Sequence, residues 1–138
     1  MQLKLQQLLP TYFTKERTLD SEIWGKDLVF EKGDLVKIIA PSGSGKTSLI
    51  SFLYGMRNDY TGTISYDNNR IPQTSPEELS RYRKDHISIV FQDLRLFPTQ
   101  TVEENLELKR QLNPYHPPPR IKEMAERLGI GDKLASSC

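Results

Sequence analysis

The sequence predicts an α/β fold in which a partial parallel sheet is combined with antiparallel hairpins. Short apolar runs alternate along the chain with segments of helical periodicity, and a glycine-rich loop joins one apolar run to the helix that follows it. Turn residues separate two further strand patterns. Strands that alternate with helices are typical of parallel sheets, whereas short turns produce hairpins.

Two apolar runs are predicted to form buried parallel strands. The first, LVKIIA, spans Leu35–Ala40 and is apolar at five of its six positions. The second, HISIVFQ, ends at Gln92. Continuous apolar runs rich in β-branched residues are typical of strands that are covered on both faces. We therefore expect both runs to lie in the interior of the sheet.

The remaining strands are predicted to be antiparallel. LVF, residues 28–30, is a short strand candidate ahead of the glycine-rich loop. GTISYDNNRI reads as a strand that enters a turn at Asp67–Asn69. A run of this kind bounded by Asp and Asn residues favours a hairpin.

Three helices carry start or stop signals. Ser75 with Glu78, and Thr101 with Glu104, have the spacing of capping boxes, in which the two side chains satisfy each other's backbone amides. The helix in RIKEMAERLG is predicted to end at Gly129. Between the last two helices, the prolines of Asn113–Arg120 predict an extended connector.

Length and composition limit the classes of function. The 138 residues suit one domain, and 19 basic against 18 acidic residues give a net charge of +1. This balance predicts no nucleic-acid partner, because a polyanion-binding face is usually strongly basic. No apolar run is long enough for a membrane span. The single cysteine, Cys138, excludes an internal disulfide and suits a reducing compartment.

The chemistry is concentrated in APSGSGKT, Ala40 to Thr47. The phosphate-loop pattern G-x-x-x-x-G-K-[ST] is matched except at its first position, where Ala40 replaces glycine. Gly43 and Gly45 allow the backbone amides to curl around a phosphate, and the helix that follows directs its positive end to the same place. Lys46 supplies a charge for the β- and γ-phosphates, and Thr47 a hydroxyl for Mg²⁺.

With this loop and the segments that follow it, the sequence resembles the ATP-binding domain of an ABC transporter. APSGSGKTSLISFLYGM with NDYTGTISYDNNRI is similar to the family's phosphate loop, first helix and returning strand. ISIVFQDLRLFPTQTVEENL is similar to its Q-loop segment. The resemblance implies a β-rich phosphate-loop part over about residues 1–92 and the start of a helical region over about 93–138. Among subtypes, the chain most resembles the ATPases of lipoprotein-release and macrolide-export systems.

The resemblance implies ATP and Mg²⁺ as cofactors and assigns roles to individual residues. Gln92 would contact Mg²⁺ or the attacking water, as an alternative to being a solvated strand end. Tyr12 would stack under adenine, with Phe13 and then Trp24 as substitutes, although each aromatic residue could instead pack in the core. The nucleotide-binding set is completed by residues of the loop and first helix: Ser42, Gly43, Ser44, Gly45, Lys46, Thr47 and Ser48.

The resemblance covers only the first part of the family domain. The LSGGQ-type signature, the Walker B Asp-Glu and the switch His of the family do not occur in the 138 residues. The parent protein is therefore expected to be an ATPase that couples hydrolysis to transport, whereas this stretch is expected to bind nucleotide without efficient turnover. We also expect its two apolar strands to lack central neighbours, which favours a homodimer or another oligomer.

The implied setting is the cytoplasmic face of a membrane, where the parent protein would assemble with a transmembrane transporter subunit. Two alternatives come from other classes. The first is a P-loop nucleotide kinase of the guanylate-kinase type, whose loop is similar but normally opens the chain. The second is a non-catalytic fragment that binds nucleotide and self-associates.

Overall fold

The computed structural model describes residues 1–14, 16, 20–71, 75–93 and 95–138. These residues form two compact units, 1–83 and 84–138. The first unit contains the glycine-rich loop and a sheet. The second is helical.

The sheet of the first unit is antiparallel. Among the described residues it has four strands in the order β2-β1-β3-β4, with β1 at Leu3–Pro10, β2 at Asp27–Phe30, β3 at Tyr60–Tyr66 and β4 at Asn69–Arg70. In the register, Leu5 lies opposite Leu28 on one side and Ile64 on the other. The hairpin predicted around Asp67–Asn69 and the strand at residues 28–30 are therefore confirmed.

A bulge in β1 marks the end of its regular pairing with β3. The register shifts between Gln6 and Leu9, and Gln7 has a φ of 51°. Opposite the bulge, Gly62 has a φ of 84°, and a Cβ built there would lie 2.4 Å from the Gln7 carbonyl oxygen. Only glycine allows so close an approach of the two backbones.

The core of the first unit lies between the sheet and helix α1, Lys46–Leu53. The buried side chains of α1 are Leu49 and Phe52. They belong to a core that also includes Leu5, Leu8, Trp24, Ile64 and Tyr66. Burial of apolar surface of this kind is the main favourable term in folding.

The prediction of buried parallel strands is wrong for both apolar runs. Neither Leu35–Ala40 nor residues 86–92 form a strand, and all ladders of the described sheet are antiparallel. Leu35 is fully exposed, Ile39 is 81% exposed and Val90 is 97% exposed. A strand requires a ladder partner, and no described strand pairs with either run. The apolar pattern indicates residues suited to burial, but it does not supply the neighbours that would bury them.

Helices α2 at Pro76–Asp85, α3 at Val102–Leu112 and α4 at Pro119–Arg127 follow the sheet. Both predicted capping boxes are present, because Glu78 N–H donates to Ser75 Oγ and Glu104 N–H donates to Thr101 Oγ, each at 3.2 Å. Helix α4 is followed by Gly129 with a φ of 71°, as expected. Within the described ranges, no helix has the length and apolar character needed to cross a bilayer.

The proline-rich connector is shorter than predicted. Pro118 has helical backbone angles and is the N-cap of α4, and Pro119 is its first residue. A proline at the first helical position loses no hydrogen bond, because that amide has no acceptor within the helix. The prolines therefore start α4 instead of extending the chain as far as Arg120.

Candidate phosphate-binding site

The predicted phosphate loop connects residue 39 to helix α1 without a regular strand before it. Gly43 and Gly45 have φ angles of 78° and 91°, which are left-handed values that favour glycine. Gly45 is the N-cap of α1, and its carbonyl accepts the first helical hydrogen bond from Leu49 at 2.8 Å. The loop therefore ends where the first amides of α1 lack acceptors within the helix, which is a favourable place for an anion.

The Lys46 side chain folds back over the loop that precedes it. Its Nζ donates to the carbonyl oxygens of Ala40 at 2.5 Å and Pro41 at 2.7 Å. An ammonium group has three donors, so these two bonds leave one for another acceptor. The positive charge is thus held at the mouth of the loop, where the helix dipole also favours negative charge.

The hydroxyl-bearing residues of the loop differ in their surroundings. Ser42 and Thr47 are exposed. The Ser44 Oγ is buried and has no hydrogen-bond partner among the described residues. The arrangement supplies a cation, a helix N-terminus and hydroxyl groups within eight residues, Ala40–Thr47.

Tyr12 lies beside the first turn of α1. Its hydroxyl donates to Ser48 Oγ at 2.6 Å, and the residue is 48% exposed. Arg57 Cζ lies 5.5 Å from the centre of the Tyr12 ring, and Arg57 also pairs with Asp59. The hydrogen bonds from Arg57 lower the pKa of the Asp59 carboxyl. The structure therefore brings Tyr12 next to Ser48 and leaves much of the side chain accessible.

The other two aromatic candidates are further inside the first unit. Trp24 is 6% exposed, and its indole Nε1–H donates to the Ser44 carbonyl at 3.0 Å. Phe13 packs edge-on between Tyr12 and Trp24, with ring centres 5.2 and 5.7 Å away. Trp24 thus supports the loop from the core side. Sequence reasoning missed this role, because an aromatic residue ahead of a strand gives no sign of which later loop it meets.

Gln92 belongs to the second unit and is exposed at a bend. Arg95 contacts both chain neighbours of Gln92. Its Cζ lies 4.0 Å from the centre of the Phe91 ring, and its Nε forms an ion pair with Asp93 at 2.9 Å. The hydrogen bond from Arg95 lowers the pKa of Asp93. The predicted roles of Gln92 as a metal ligand and in catalysis stay predictions.

In the part of the chain that the structure describes, no cluster of three or more His, Cys, Asp or Glu side chains could hold a metal ion. These residues therefore offer no site at which protein groups alone would bind a metal. Mg²⁺ in phosphate-transfer sites is usually held by one or two protein oxygens together with the phosphates of the substrate. An exposed Thr47 hydroxyl on the first turn of α1 fits that limited requirement.

The loop, its lysine and the helix that begins at Lys46 define a protein of the P-loop class. The profile of the ABC transporter family matches residues 25–138. The chain therefore belongs to the ABC transporter family. The resemblance found in the sequence is confirmed, and the kinase alternative is removed.

Individual relatives agree with this assignment. The chain is 34% identical over 115 residues to the aliphatic sulfonates import ATP-binding protein SsuB of Bacillus cereus, covering 83% of this chain and 42% of that protein. It is 34% identical over 112 residues to the bacitracin export ATP-binding protein BceA of Halalkalibacterium halodurans, covering 77% and 43%. The chain thus spans less than half the length of these relatives.

Solved structures match over almost the whole chain. The dimeric ATP-binding cassette MJ0796 in a post-hydrolysis state, bound to ADP and Pi, has a TM-score of 0.77 and 25% identity. The match covers 98% of this chain and 60% of that one. A second dimeric MJ0796 structure, described as a bacterial ABC transporter cassette, has a TM-score of 0.76 and 26% identity. The chain therefore has the fold of an ABC cassette over the part of the cassette that it covers. The sheet formed by its described residues is antiparallel.

Proposed function

We propose that this chain is the nucleotide-binding part of an ABC transporter ATPase and that it binds ATP with the phosphates on residues 40–47. The observation that carries the proposal is the position of Lys46, whose ammonium group lies over the loop at the positive end of α1. Family membership and the names of the relatives support the same function.

At the phosphate end, three sources of positive potential act on the same ligand. The backbone amides of Gly43–Lys46 and the N-terminus of α1 provide partial charges, and Lys46 provides a full charge. Lys46 reaches the β- and γ-phosphates with the donor that its bonds to Ala40 and Pro41 leave over. Ser48 Oγ accepts a hydrogen bond from Tyr12, so its own O–H is free to donate to a phosphate oxygen.

At the base end, Tyr12 offers a ring for adenine. Its hydrogen bond to Ser48 fixes the ring next to the phosphate loop, and its exposed area leaves room for stacking. Stacking of a base on an aromatic side chain contributes about 1–3 kcal/mol. Tyr12 therefore distinguishes a nucleotide from a bare polyphosphate.

Mg²⁺, when bound, would neutralise charge that develops on the β- and γ-phosphates. Thr47 would hold it through its hydroxyl. The roles that the resemblance implies for Gln92, as a metal ligand or in orienting the attacking water, stay predictions. Hydrolysis forms a bond from the water oxygen to the γ-phosphorus and breaks the bond to the bridging oxygen, which leaves ADP and inorganic phosphate. The 138-residue polypeptide, without the Walker B Asp-Glu, is expected to bind ATP without efficient turnover.

The whole protein is proposed to work at the cytoplasmic face of a membrane with a transmembrane transporter subunit. Dimerisation of the solved cassettes supports a homodimer. The subtype assignment to lipoprotein-release or macrolide-export ATPases stays a prediction.

The test compares ATP with inorganic triphosphate as ligands of the wild type and of Tyr12→Ala. We expect Tyr12→Ala to weaken ATP binding by about tenfold, because the base loses its stacking contact. Triphosphate binding should stay nearly unchanged, because Ser48 loses the hydrogen bond from Tyr12 but keeps its own O–H as a donor to phosphate. Isothermal titration calorimetry measures both affinities. Arg70→Ala, a change on the exposed strand β4, serves as a control and should bind both ligands as the wild type does. A wild type that binds triphosphate but gains nothing from the adenosine of ATP would contradict the nucleotide proposal.

A further inference from the structure

Trp24 makes a polar contact with the phosphate loop from inside the core. The residue is 6% exposed and lies between β1 and β2, and its indole N–H donates to the Ser44 carbonyl at 3.0 Å. Phe13 and Phe52 pack edge-on against the indole, with ring centres 5.7 and 6.4 Å away. The ring is therefore held on two sides while its one donor points at the loop backbone.

The contact fixes the orientation of one peptide group. The chain has no cis peptide bond among its described residues, so the Ser44 carbonyl and the Gly45 N–H point in opposite directions. Because the indole holds the carbonyl on the core side, the Gly45 N–H points away from the core. A phosphate bound at the start of α1 would therefore meet the Gly45 N–H on that side.

Gly45 shows how closely the indole approaches the loop. A Cβ built on Gly45 would lie 2.9 Å from Trp24 Cζ2 and 3.1 Å from Phe13 Cζ. The left-handed φ of 91° already favours glycine there, and the indole removes the space for a side chain as well. The loop backbone thus rests directly on the ring.

We propose that Trp24 is a positioning residue of the phosphate loop, which holds the Ser44–Gly45 peptide so that the Gly45 N–H faces a bound phosphate group. The proposal rests on the proposed function, since it assigns Trp24 to the same site. Without this bond, the peptide rotates among several orientations, and binding of a phosphate has to select one of them.

The most direct test removes the N–H and keeps the ring. Replacement of Trp24 by β-(3-benzothienyl)alanine exchanges the indole N–H for sulfur in a bicyclic ring of nearly the same shape. Trp24→Phe is the genetic counterpart, which also replaces the bicyclic ring with a smaller one. We expect either change in the 138-residue chain to weaken binding of inorganic triphosphate by about threefold to tenfold, the effect of one lost hydrogen bond. Calorimetry measures the affinity, and circular dichroism checks that the fold is retained.

A matched control comes from Tyr66, whose hydroxyl donates to the Leu53 carbonyl at 2.9 Å. Tyr66→Phe also removes a bond from an aromatic donor to a backbone carbonyl in the same unit, but at the far end of α1. It is expected to lower stability and to leave the affinity for triphosphate unchanged. A change in affinity in both variants would indicate general loosening and would overturn the proposal.

A spectroscopic readout tests the geometry without any substitution. Trp24 is the only tryptophan, so the ¹⁵N-labelled protein gives one indole N–H signal. We expect this signal to exchange slowly with solvent and to shift on addition of triphosphate with the same midpoint as the calorimetric titration. An indole N–H that exchanges freely, or that does not respond to saturating ligand, would overturn the proposal even if Trp24→Phe failed to fold.

The outcomes separate this inference from the function on which it rests. If the wild type binds no triphosphate, the proposed function fails and the role of Trp24 fails with it. If the wild type binds and both Trp24 variants bind equally well, only the role of Trp24 is refuted. If the wild type binds and both variants lose affinity while Tyr66→Phe does not, the proposal is supported.

Discussion

At the scale of single residues, two tyrosines of the first unit differ in how their hydroxyls are satisfied. Tyr66 donates to the Leu53 carbonyl, whereas the Tyr60 hydroxyl is buried without a partner among the described residues. Burial raises the pKa of each phenol to about 12. A raised pKa means that the folded state favours the neutral phenol. The contribution of this preference to the free energy of unfolding is complete below about pH 10 and is lost as the pH rises towards 12.

We predict that Tyr60→Phe and Tyr66→Phe change stability in opposite directions. Tyr60→Phe removes an unsatisfied buried hydroxyl and should raise the free energy of unfolding by about 1 kcal/mol. Tyr66→Phe leaves the Leu53 carbonyl without its donor and should lower the free energy of unfolding by about 1 kcal/mol. Urea denaturation near neutral pH measures both. Equal losses in the two variants would contradict the assigned hydrogen bonding.

The conformation of the glycine-rich loop could be predicted from the sequence, because it depends on residues within the loop itself. Gly43 and Gly45 have the positive φ angles that the pattern requires, and Lys46 folds over the loop. The contact from Trp24 to Ser44 could not be predicted, because it depends on how the chain between β1 and β2 folds back onto a loop 20 residues later. A sequence pattern contains no information of that kind.

At the scale of elements, helix α3 begins with an unusually complete set of partners for its first amides. Val102 N–H donates to the Ser136 carbonyl and Glu103 N–H donates to the Leu134 carbonyl, both at 3.0 Å. Glu104 N–H donates to Thr101 Oγ, and the Glu104 carboxylate accepts from the Thr101 N–H at 2.7 Å. The start of α3 is thus satisfied partly by its own capping box and partly by residues near position 138.

We predict that Thr101→Ala destabilises the start of α3. Loss of the cap should lower the local stability by about 1 kcal/mol, because Glu104 N–H loses its acceptor. Hydrogen exchange of the α3 amides measures the effect. Glu104→Gln serves as the control, since an amide retains the acceptor for Thr101 N–H and should cost less. Equal protection in the wild type and Thr101→Ala would show that the cap contributes nothing.

The elements also show where pattern reading fails. The capping boxes, the hairpin and the end of α4 are each decided by a few neighbouring residues, and the structure confirms all of them. The runs at residues 35–40 and 86–92 have the residue types of strands, but a strand depends on partners elsewhere in the chain. Residue type alone does not show whether such partners are present.

At the scale of the whole molecule, each of the two apolar runs exposes one or more large apolar side chains. Leu35, Ile39 and Val90 have most of their area exposed. Exposed apolar segments without ladder partners favour pairing with other chains. The 138-residue polypeptide is therefore expected to associate.

We predict concentration-dependent association that a charge in the first run weakens. Ile39→Lys should shift the mass measured by light scattering towards the monomer, because a charged side chain in an apolar run opposes pairing with another chain. Leu112→Lys, which places the same charge on an exposed position of α3, is the matched control and should have less effect. A wild type that stays monomeric at all concentrations would refute this prediction.

The most direct test of the proposed function is the affinity of the chain for ATP before and after removal of the Lys46 charge. Lys46→Ala should weaken ATP binding by at least about tenfold, because the phosphates lose a charge-assisted hydrogen bond at the N-terminus of α1. Lys122→Ala, which removes the same charge from an exposed position of α4, should bind ATP as the wild type does. Isothermal titration calorimetry compares the three proteins. Equal ATP affinity of the wild type and Lys46→Ala, in folded proteins, would contradict the proposal that residues 40–47 bind the phosphates.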